Sequence, residues 1–244
     1  MEMGSVMSVS FAVLRVKPLR DARSLSGASR HNLRLFFARN VDQSRTRLNR
    51  PVRGSGDFVA DFRGSRFSRV NTFRAGDNIA GELVLTARAA WFDERFPCWR
   101  KNPLVLKPWI DSTNQFLIDK FGENYISGII HLDEESPHFH CLVVPTKAYK
   151  RKLNGREYEF ERISYSSQFS DSKAVFRRAR EEQNPELTKL GRLQTEYAKS
   201  VEHLGLVRGR NSYTQKPRRH ITTREYQAEN ALLNEKFASE LSLV

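Results

Sequence analysis

The hydrophobic pattern of the chain predicts a mixture of strands and helices. Strands are expected where short, β-branched apolar stretches lie between turn-forming residues, and helices where apolar residues recur every three or four positions. The predicted strands span 6–16, 81–87, 125–131 and 138–145, and the predicted helices span 109–121, 171–182, 186–204 and 222–243. Asn154-Gly155 predicts the two-residue turn of a further small hairpin within 146–165.

These elements do not follow the regular alternation of βαβ units, and the chain has no visible internal repeat. The prediction is therefore an α+β fold, an antiparallel sheet with helices packed on one face. A single domain is expected over 1–244, with an Arg- and Gly-rich insert at about 50–78 that is flexible unless its phenylalanines hold it. Residues 17–30 are expected to form a loop or the approach to a helix, and 91–99 a loop with aromatic anchors.

Three of the six histidines lie close together, at His131, His138 and His140. If the two strands that flank the polar turn 133–137 pair with each other, His131 lies opposite His138, with Cβ atoms about 5 Å apart. His138 and His140 share one face because side chains alternate along a strand, so Phe139 points into the core. Three imidazoles on one patch of sheet are typical of a transition-metal site with an open position. The alternative is a polar sheet face that binds no metal.

The composition indicates a packed globular protein rather than a disordered one, because 39% of the residues are hydrophobic and 16 are Phe. The only two cysteines, Cys98 and Cys141, cannot form a disulfide framework, and Cys141 should face the core. We therefore expect a reduced, cytoplasmic protein. No apolar run is long enough for a membrane segment, and the start of the chain lacks the pattern of a secretory signal.

The charge of the chain points to a polyanionic partner. The formal net charge is +13, and residues 1–80 contain 15 Lys or Arg against 6 Asp or Glu. Nearly all of these cations are Arg, which can grip a phosphate with two donors. A second basic stretch, 208–224, contains no acid. Nucleic acid is the expected partner; the alternative is a solvated basic face without a specific ligand.

The segment His-Leu-Asp-Glu-x-x-Pro-His-x-His, residues 131–140, resembles the signature of plasmid mobilisation relaxases of the Mob/Pre type. These belong to the HUH endonucleases, whose paired histidines flank a hydrophobic residue, here Phe139. Two earlier stretches and one late one resemble the family in the same order: Arg30-His31-Asn32-Leu33-Arg34, Ser44-Arg45-Thr46-Arg47-Leu48-Asn49, and Leu193-Gln194 with Tyr197 before Gly205. The similarity runs from about Ser8 to Tyr226.

The resemblance implies an enzyme that nicks one DNA strand at an origin of transfer, stays covalently attached to the new 5′ end and later rejoins the strand. It implies a divalent metal held by His131, His138 and His140, and a nucleophile at His31. Mn²⁺ or Mg²⁺ is expected from this chemistry, although nitrogen ligands alone favour Mn²⁺, Zn²⁺ or later metals over Mg²⁺. Single-stranded or supercoiled origin DNA is the expected partner, with other transfer proteins as further partners.

Glu134 lies in the turn beside the histidines and is predicted to be catalytic. It can accept a proton from His31 or orient a metal ligand; the alternative is an ordinary solvated carboxylate. Basic and polar residues near His31 and in the late basic stretch are predicted to bind DNA. They are Arg34, Arg45, Arg47, Asn49, Arg208, Arg210, Arg218, Arg219 and His220. Exposed aromatic residues could stack on unpaired bases, and the sequence offers Phe36, Phe37, Trp91 and Trp99.

Three other functions are compatible with parts of the sequence. A Tyr-dependent replication initiator or transposase has the same metal hairpin but a different nucleophile, for which Tyr125, Tyr197, Tyr213 and Tyr226 are available. A metal-dependent hydrolase of small molecules needs a pocket but no large positive charge, and the His-Glu-x-x-His metalloprotease pattern is absent. A non-catalytic DNA-binding protein with structural histidines needs only the charge.

Overall fold

The computed structural model describes residues 9–36, 38–72, 74 and 76–209. The described residues belong to one compact unit. The predicted helix at 222–243 lies outside them, as do the two rival nucleophiles Tyr213 and Tyr226. Four of the nine predicted DNA contacts are also outside: Arg210, Arg218, Arg219 and His220.

A six-stranded sheet forms the centre of the fold. Its strands are β1 Ser10–Leu19, β2 Arg50–Arg53, β3 Ala80–Thr86, β4 Tyr125–His131, β5 His138–Val143 and β8 Leu206–Arg208. The order across the sheet is β2-β4-β5-β3-β1-β8. Only β8 pairs in parallel, with β1, and the other neighbours are antiparallel. Since β4 and β5 lie inside the sheet, the turn between them is fixed by strands on both sides.

Two further strands, β6 Thr146–Leu153 and β7 Arg156–Ile163, form a separate two-stranded ribbon. Their turn is Asn154-Gly155, and both residues have positive φ, 49° and 78°. Positive φ at both central positions is what a type I′ turn requires, and Asn and Gly tolerate it best. The small hairpin predicted from this dipeptide is confirmed.

Helices surround the sheet. They are α1 Ala22–Asn32, α2 Phe58–Gly64, α3 Ala89–Arg95, α4 Lys107–Phe121, α5 Tyr165–Phe169, α6 Lys173–Glu181 and α7 Lys189–Ser200. Short 3₁₀ turns occur at Gln43–Leu48, Arg66–Arg69, Pro103–Leu106, Gly122–Asn124, Pro185–Leu187 and Glu202–Leu204. Gly122 ends α4 with a positive φ of 52°, which glycine adopts without strain. This mixture of an antiparallel-rich sheet and helices confirms the predicted α+β class.

The main core lies on the sheet face opposite the histidines. Leu83, Leu85 and Phe139 are fully buried there against α3, α4 and α7. The Phe139 ring packs edge-on against Trp109 of α4, with centroids 5.3 Å apart, and Cys141 is buried in the same cluster. The predicted inward orientation of both residues is therefore confirmed.

The prediction of a loop at 91–99 was wrong for its first half, because α3 spans Ala89–Arg95. Trp91 and Phe92 are adjacent on this helix and both are buried, with their rings 4.9 Å apart. A seven-residue helix shows too little of its periodicity to be recognised when its apolar residues are neighbours. Trp91 and Trp99 are each 1% exposed, so neither is available to stack on a base.

Helices also cover part of the histidine-bearing face, so the predicted arrangement on one face only was wrong. Leu25 and Ala28 of α1 pack with Phe58 of α2 and with Leu142 of β5 in a second, smaller core. The side chain of Asp21 accepts a hydrogen bond from the backbone N–H of Ser24, and this capping box starts α1. The loop expected at 17–30 is thus the end of β1 followed by a helix.

The Arg- and Gly-rich segment at 50–78 contains β2, α2 and a 3₁₀ turn. Phe58 and Phe67 are buried in the smaller core, and Asp57 caps α2 by accepting from the backbone of Val59 and Ala60. The partly buried Phe62 also packs against this core, so three of the four phenylalanines expected to hold the segment do so, while Phe73 lies outside the described residues.

Candidate functional site

Four histidines meet on one face of the sheet. His131 and His138 are direct cross-strand partners in the β4–β5 ladder, as predicted. The ring centroids of the three hairpin histidines are separated by 4.9 to 5.2 Å. His31, in the last turn of α1, approaches from above the sheet, with its ring 5.0 Å from His140 and 5.5 Å from His131. Residues about 100 positions apart in the sequence thus form one cluster.

Each hairpin histidine has one ring nitrogen bonded to an oxygen. His131 Nε2 lies 3.1 Å from the backbone oxygen of Asn32, and His138 Nδ1 lies 2.9 Å from that of Ser136. His140 Nδ1 lies 2.8 Å from Glu82 Oε1. Because carbonyl and carboxylate oxygens only accept, these nitrogens must be the N–H donors. The other nitrogen of each ring therefore carries a lone pair in the neutral state.

This arrangement fits a metal ion. His131 Nδ1 is buried and has no hydrogen-bond partner among the described residues. A buried nitrogen lone pair without a partner is unfavourable unless something else binds it. Metal-bound histidines commonly donate their other N–H to a carboxylate or a backbone carbonyl, which fixes the tautomer and the ring orientation. His131, His138 and His140 all have such an acceptor.

Five side chains, rather than three, can contribute ligand atoms. Two groups have all their ligand atoms within 4.8 Å of one another: His31 with His131 and His140, and Glu134 with His131 and His138. His131 belongs to both groups, so it is the centre of the cluster. Of the other two predicted ligands, His140 shares a group with His31, and His138 shares a group with Glu134.

The environment keeps these imidazoles neutral at physiological pH. Burial, followed by repulsion from His140 and Arg34, lowers the pKa of His31 to about 4. Burial lowers the pKa of His138 to about 4 as well, against the opposing effect of its hydrogen bond to Ser136. The pKa of His131 falls well below its usual value because of burial and then the neighbouring His140. Neutral rings offer the lone pairs that a metal ligand or a nucleophile needs.

Glu82 was missed in the sequence, although it holds His140. It lies on β3 and is almost fully buried, with an exposed Lys17 amine 3.4 Å from its other oxygen. Burial alone raises the pKa of Glu82, but the hydrogen bond from His140 and the charge of Lys17 outweigh it, so the pKa is lowered. An acid between apolar residues of a strand, as in Gly-Glu-Leu-Val-Leu, is the signal that could have identified it.

Asp133 is the hub of the turn between the two histidine strands. Its carboxylate is fully buried and accepts from Arg34 at 2.6 and 3.0 Å, from Asn49 at 2.7 Å and from Thr46 at 3.0 Å. Burial alone raises the pKa of Asp133, but the hydrogen bonds from Arg34 and Asn49 bring it below its usual value. The turn residue is therefore an ionised anchor for the segment 34–49.

Two further residues of this segment bind the backbone of the turn. The Arg45 guanidinium donates to the carbonyl oxygens of Leu132, at 2.8 Å, and Glu134, at 3.2 Å. Asn49 accepts from the backbone N–H of Leu132 at 2.7 Å while it donates to Asp133. Both residues were predicted as DNA contacts, and in this structure their polar groups bind the turn instead.

Arg34 links the nucleophile candidate to the acidic turn. Its guanidinium reaches Asp133, Glu134 Oε1 at 2.8 Å and His31 Nε2 at 3.3 Å, and the side chain is only 8% exposed. Arg34 also has a positive φ of 54°. Among the described residues no hydrogen bond joins Glu134 to His31; the Arg34 guanidinium contacts both side chains instead. Glu134 also accepts from Asn40 at 2.6 Å and lies 3.7 Å from His138 Nε2.

The remaining predicted DNA contacts differ in their surroundings. Arg47 is exposed and makes no hydrogen bond or ion pair among the described residues. Arg208 is partly buried and donates to Gln194 at 2.8 Å and to Thr195 at 3.3 Å. Phe36 is 45% exposed, with its ring 6.1 Å from that of His31. Phe37 lies outside the described residues.

The two described tyrosines considered as rival nucleophiles lie in the main core. Tyr125 is fully buried, donates to Asn114 at 3.1 Å, and burial raises the pKa of its hydroxyl. Tyr197 is also fully buried, 3.3 Å from the hydroxyl of Thr113, and burial raises its pKa to about 12. Their contacts belong to the sheet face opposite the histidines.

Comparison with known proteins decides the family. The family model described as plasmid recombination enzyme (Mob_Pre) matches residues 8–228. The chain belongs to this family. A 65 kDa protein of Zymomonas mobilis subsp. mobilis is 29% identical over 203 residues, which are 82% of this chain and 30% of that protein. A plasmid recombination enzyme of Lactiplantibacillus plantarum is 24% identical over 64% of this chain and 44% of its own length.

The chain thus spans less than half the length of these relatives in the plasmid recombination enzyme family. A solved structure shares its fold: the MobM relaxase domain (MOBV; Mob_Pre) bound to plasmid pMV158 oriT DNA, a Mn-bound crystal structure. The match has a TM-score of 0.58 at 20% identity and covers 90% of this chain and 99% of that one. The match to the family model and the shared fold confirm the resemblance drawn from residues 131–140. None of the described helices has the length and apolar character that crossing a bilayer requires.

Proposed function

We propose that this chain is a DNA relaxase that nicks one strand at the origin of transfer of a plasmid or mobile element. The observation that carries the proposal is the meeting of a neutral, partly exposed His31 with a metal-type cluster of three histidines. Membership of the plasmid recombination enzyme family and the fold of an oriT-bound relaxase domain support it. The conjugative mobilisation of a plasmid would be the process served.

His31 is the proposed nucleophile. A lone pair of its neutral ring attacks the scissile phosphorus, the P–O bond to the 3′ oxygen breaks, and a P–N bond to the new 5′ phosphate forms. The 3′ oxygen takes a proton from water, the phosphorylated ring releases its Nδ1 proton to water, and the reverse reaction rejoins the strand. Because Arg34 can only donate, its contact with His31 Nε2 places the lone pair on that nitrogen and the proton on Nδ1. This hydrogen bond positions the ring before the reaction, and it must break to free the Nε2 lone pair for attack on phosphorus.

His131, His138 and His140 are the proposed ligands of a divalent metal, Mn²⁺ or Mg²⁺. When bound, such an ion supplies a Lewis acid that neutralises charge on the scissile phosphate. Glu82 orients the His140 ring, and the backbone oxygens of Asn32 and Ser136 orient the other two. Three neutral ligands leave the full positive charge of the ion available to an anionic substrate.

Glu134 is proposed to brace the site rather than to accept a proton directly from His31. Its two carboxylate oxygens bind Arg34 and Asn40, and one of them lies near His138 Nε2. A carboxylate in this position balances the charge of Arg34 and fixes its guanidinium beside the nucleophile. Glu134 also lies in one of the two groups with metal-ligand spacing, so it can serve as an additional ligand.

Single-stranded DNA is proposed to cross the open part of the histidine-bearing face. In the strand register His140 lies beside Val84, and Val84 beside Arg15, so Arg15 is on the same face two strands away, roughly 10 Å distant. Arg15 and Arg47 are exposed, and Phe36 is exposed with its ring 6.1 Å from that of His31. Cations and an open aromatic ring suit a phosphate backbone with unstacked bases.

The decisive experiment is mass spectrometry of the protein after reaction with a single-stranded oligonucleotide that carries a transfer origin, in the presence of Mn²⁺. Origin sequences from several plasmids, including pMV158, serve as probes, and relaxation of supercoiled plasmids with the same origins is measured in parallel. We expect a mass shift on the peptide that contains His31, and its loss in His31→Ala with metal binding retained. His138→Ala should lose metal binding and nicking together.

The same experiment separates the other functions. An adduct that persists in His31→Ala and maps to a tyrosine identifies a Tyr-dependent enzyme. Tight binding of DNA without a relaxed product for any origin indicates a non-catalytic binding protein. Retained metal binding without affinity for oligonucleotides at physiological salt indicates a hydrolase of small molecules.

A further inference from the structure

We propose that one face of the β6–β7 ribbon binds the phosphate backbone of duplex DNA beside the nicking site. The proposal rests on the proposed function only in taking DNA as the substrate. The eight register pairs of the ribbon divide its side chains into two faces, because directly paired residues share a face and neighbours along a strand alternate. The two faces differ sharply in charge.

One face, here called the cationic face, has four cations and no acid. It consists of the pairs Lys147–Arg162, Tyr149–Phe160, Arg151–Tyr158 and Leu153–Arg156. Lys147, Arg151 and Arg156 are exposed and make no ion pair among the described residues. Unpaired like charges on a narrow ribbon repel each other, and this repulsion destabilises the ribbon unless a polyanion or counterions neutralise the charges.

The opposite face neutralises itself. It consists of Thr146–Ile163, Ala148–Glu161, Lys150–Glu159 and Lys152–Glu157. Lys150 binds Glu157 at 3.1 Å, and Glu161 pairs with Arg66 of the body of the protein. Ile163 is buried at the base of the ribbon. This face therefore attaches the ribbon to the protein and has no charge left for a polyanion.

The shape of the ribbon favours duplex DNA over a single strand. Two eight-residue strands extend about 25 Å and are narrow enough for a major groove about 12 Å wide. At the base of the cationic face, the Tyr149 and Phe160 rings stack on each other with centroids 6.0 Å apart. Lys147 lies over the first ring at 5.7 Å and Arg162 over the second at 5.3 Å. These ring faces are occupied and offer little for stacking of unpaired bases.

The cationic face continues into a cavity of about 460 Å³ at the base of the ribbon. Lys147 and Tyr149 line it together with Arg74 and Lys189, and Asp77 is its single acid. Positive charge thus extends from the ribbon onto the body of the protein. From His138 to Val143, β5 spans about 17 Å, which corresponds to roughly five base pairs of duplex. The ribbon would therefore hold duplex that flanks the nicking site rather than the nicked residues.

The test compares two double variants of the full chain that each remove two cations. Arg151→Ala with Arg156→Ala alters the cationic face, and Lys150→Ala with Lys152→Ala is the matched control on the opposite face. Binding to a labelled mixed-sequence duplex of about 30 base pairs, and to one of its single strands, is measured by fluorescence anisotropy over a range of KCl concentrations.

We expect the slope of log K against log salt for the duplex to fall by about 1.8 in the first variant, because each lost phosphate contact contributes about 0.9. This corresponds to roughly 60-fold weaker duplex binding at 0.1 M salt and to a difference that vanishes near 1 M. The control variant should keep the wild-type slope, and single-strand affinity should change in neither.

Equal effects of the two variants, or a loss confined to the single strand, would overturn the proposal. Nicking of supercoiled plasmid by the same wild-type preparation separates it from the proposed function. A wild type that nicks while the cationic-face variant keeps its duplex affinity refutes the ribbon proposal alone. A wild type that shows the expected slopes but never nicks refutes the relaxase proposal alone.

Discussion

Removal of Arg34 should destabilise the protein strongly, because it leaves the Asp133 carboxylate buried without its main partner. Asp133 is 0% exposed and would retain only Thr46 and Asn49 as donors. Removing one partner of a buried ion pair lowers the free energy of unfolding by about 3–5 kcal/mol. The lost ion pair between Arg34 and the partly exposed Glu134 adds at most about 1 kcal/mol to this loss. We therefore expect Arg34→Met to lower the free energy of unfolding by about 3–5 kcal/mol. Met has a similar length and would adopt the same positive φ, so the backbone strain is unchanged.

Urea-induced unfolding at neutral pH, followed by circular dichroism, measures this loss from the shift of the midpoint at constant m-value. The double variant Arg34→Met with Asp133→Asn removes both charges, and it should recover about 2 kcal/mol or more relative to the single variant. Thr46→Ser keeps the hydroxyl donor and is the control. Two results would falsify the assignment of Asp133 as a buried, ionised hub. One is a loss of unfolding free energy below about 1 kcal/mol for Arg34→Met, and the other is a loss in the double variant that equals the sum of the losses in the two single variants.

Three other predictions follow from the same site. Arg47→Ala should weaken binding of single-stranded DNA without changing the free energy of unfolding. Arg45→Ala should lower the free energy of unfolding in urea by about 2 kcal/mol, because two carbonyls of the turn lose their hydrogen-bond donor. Equal effects of the two variants contradict this. Glu82→Gln keeps an acceptor but removes the charge, so calorimetric metal affinity should fall about tenfold, and an unchanged affinity refutes its role. The lowered pKa values of His31 and His138, about 4 instead of 6.5, mean that the unfolded chain binds more protons between these pH values. The stability of the chelator-treated protein should therefore decrease from pH 7 to 4 by up to about 1.4 kcal/mol per pH unit per histidine, and a flat profile excludes this.

The histidine hairpin could be predicted because its information is local. Alternation places His138 and His140 on one face, and the turn sets His131 opposite His138, so a stretch of ten residues determines the arrangement. Short helices were less predictable. In α1, Leu25 and Ala28 are the only apolar residues that become buried, so the periodicity of this helix is weak.

The role of the arginines near His31 could not be predicted, because it depends on partners far away in the sequence. Arg34, Arg45 and Asn49 bind a turn 83 to 100 residues later. A basic residue in a basic protein suggests DNA when its surroundings are unknown. Only the fold shows which guanidinium faces an internal carboxylate and which, like that of Arg47, faces solvent.

The long sequence separation within the site has a consequence for the biogenesis of the protein. The bonds between Arg34 and the turn close a loop of about 100 residues, and such closure occurs late because its entropic cost precedes any stabilising contact. Both proposed metal ligands on β5 also follow His31 by more than a hundred positions. A nascent chain therefore has its proposed nucleophile, His31, long before it has the rest of the candidate site, and a truncated translation product that ends before His138 cannot assemble that site. Synthesis in this order makes the proposed nicking activity depend on completion of β5.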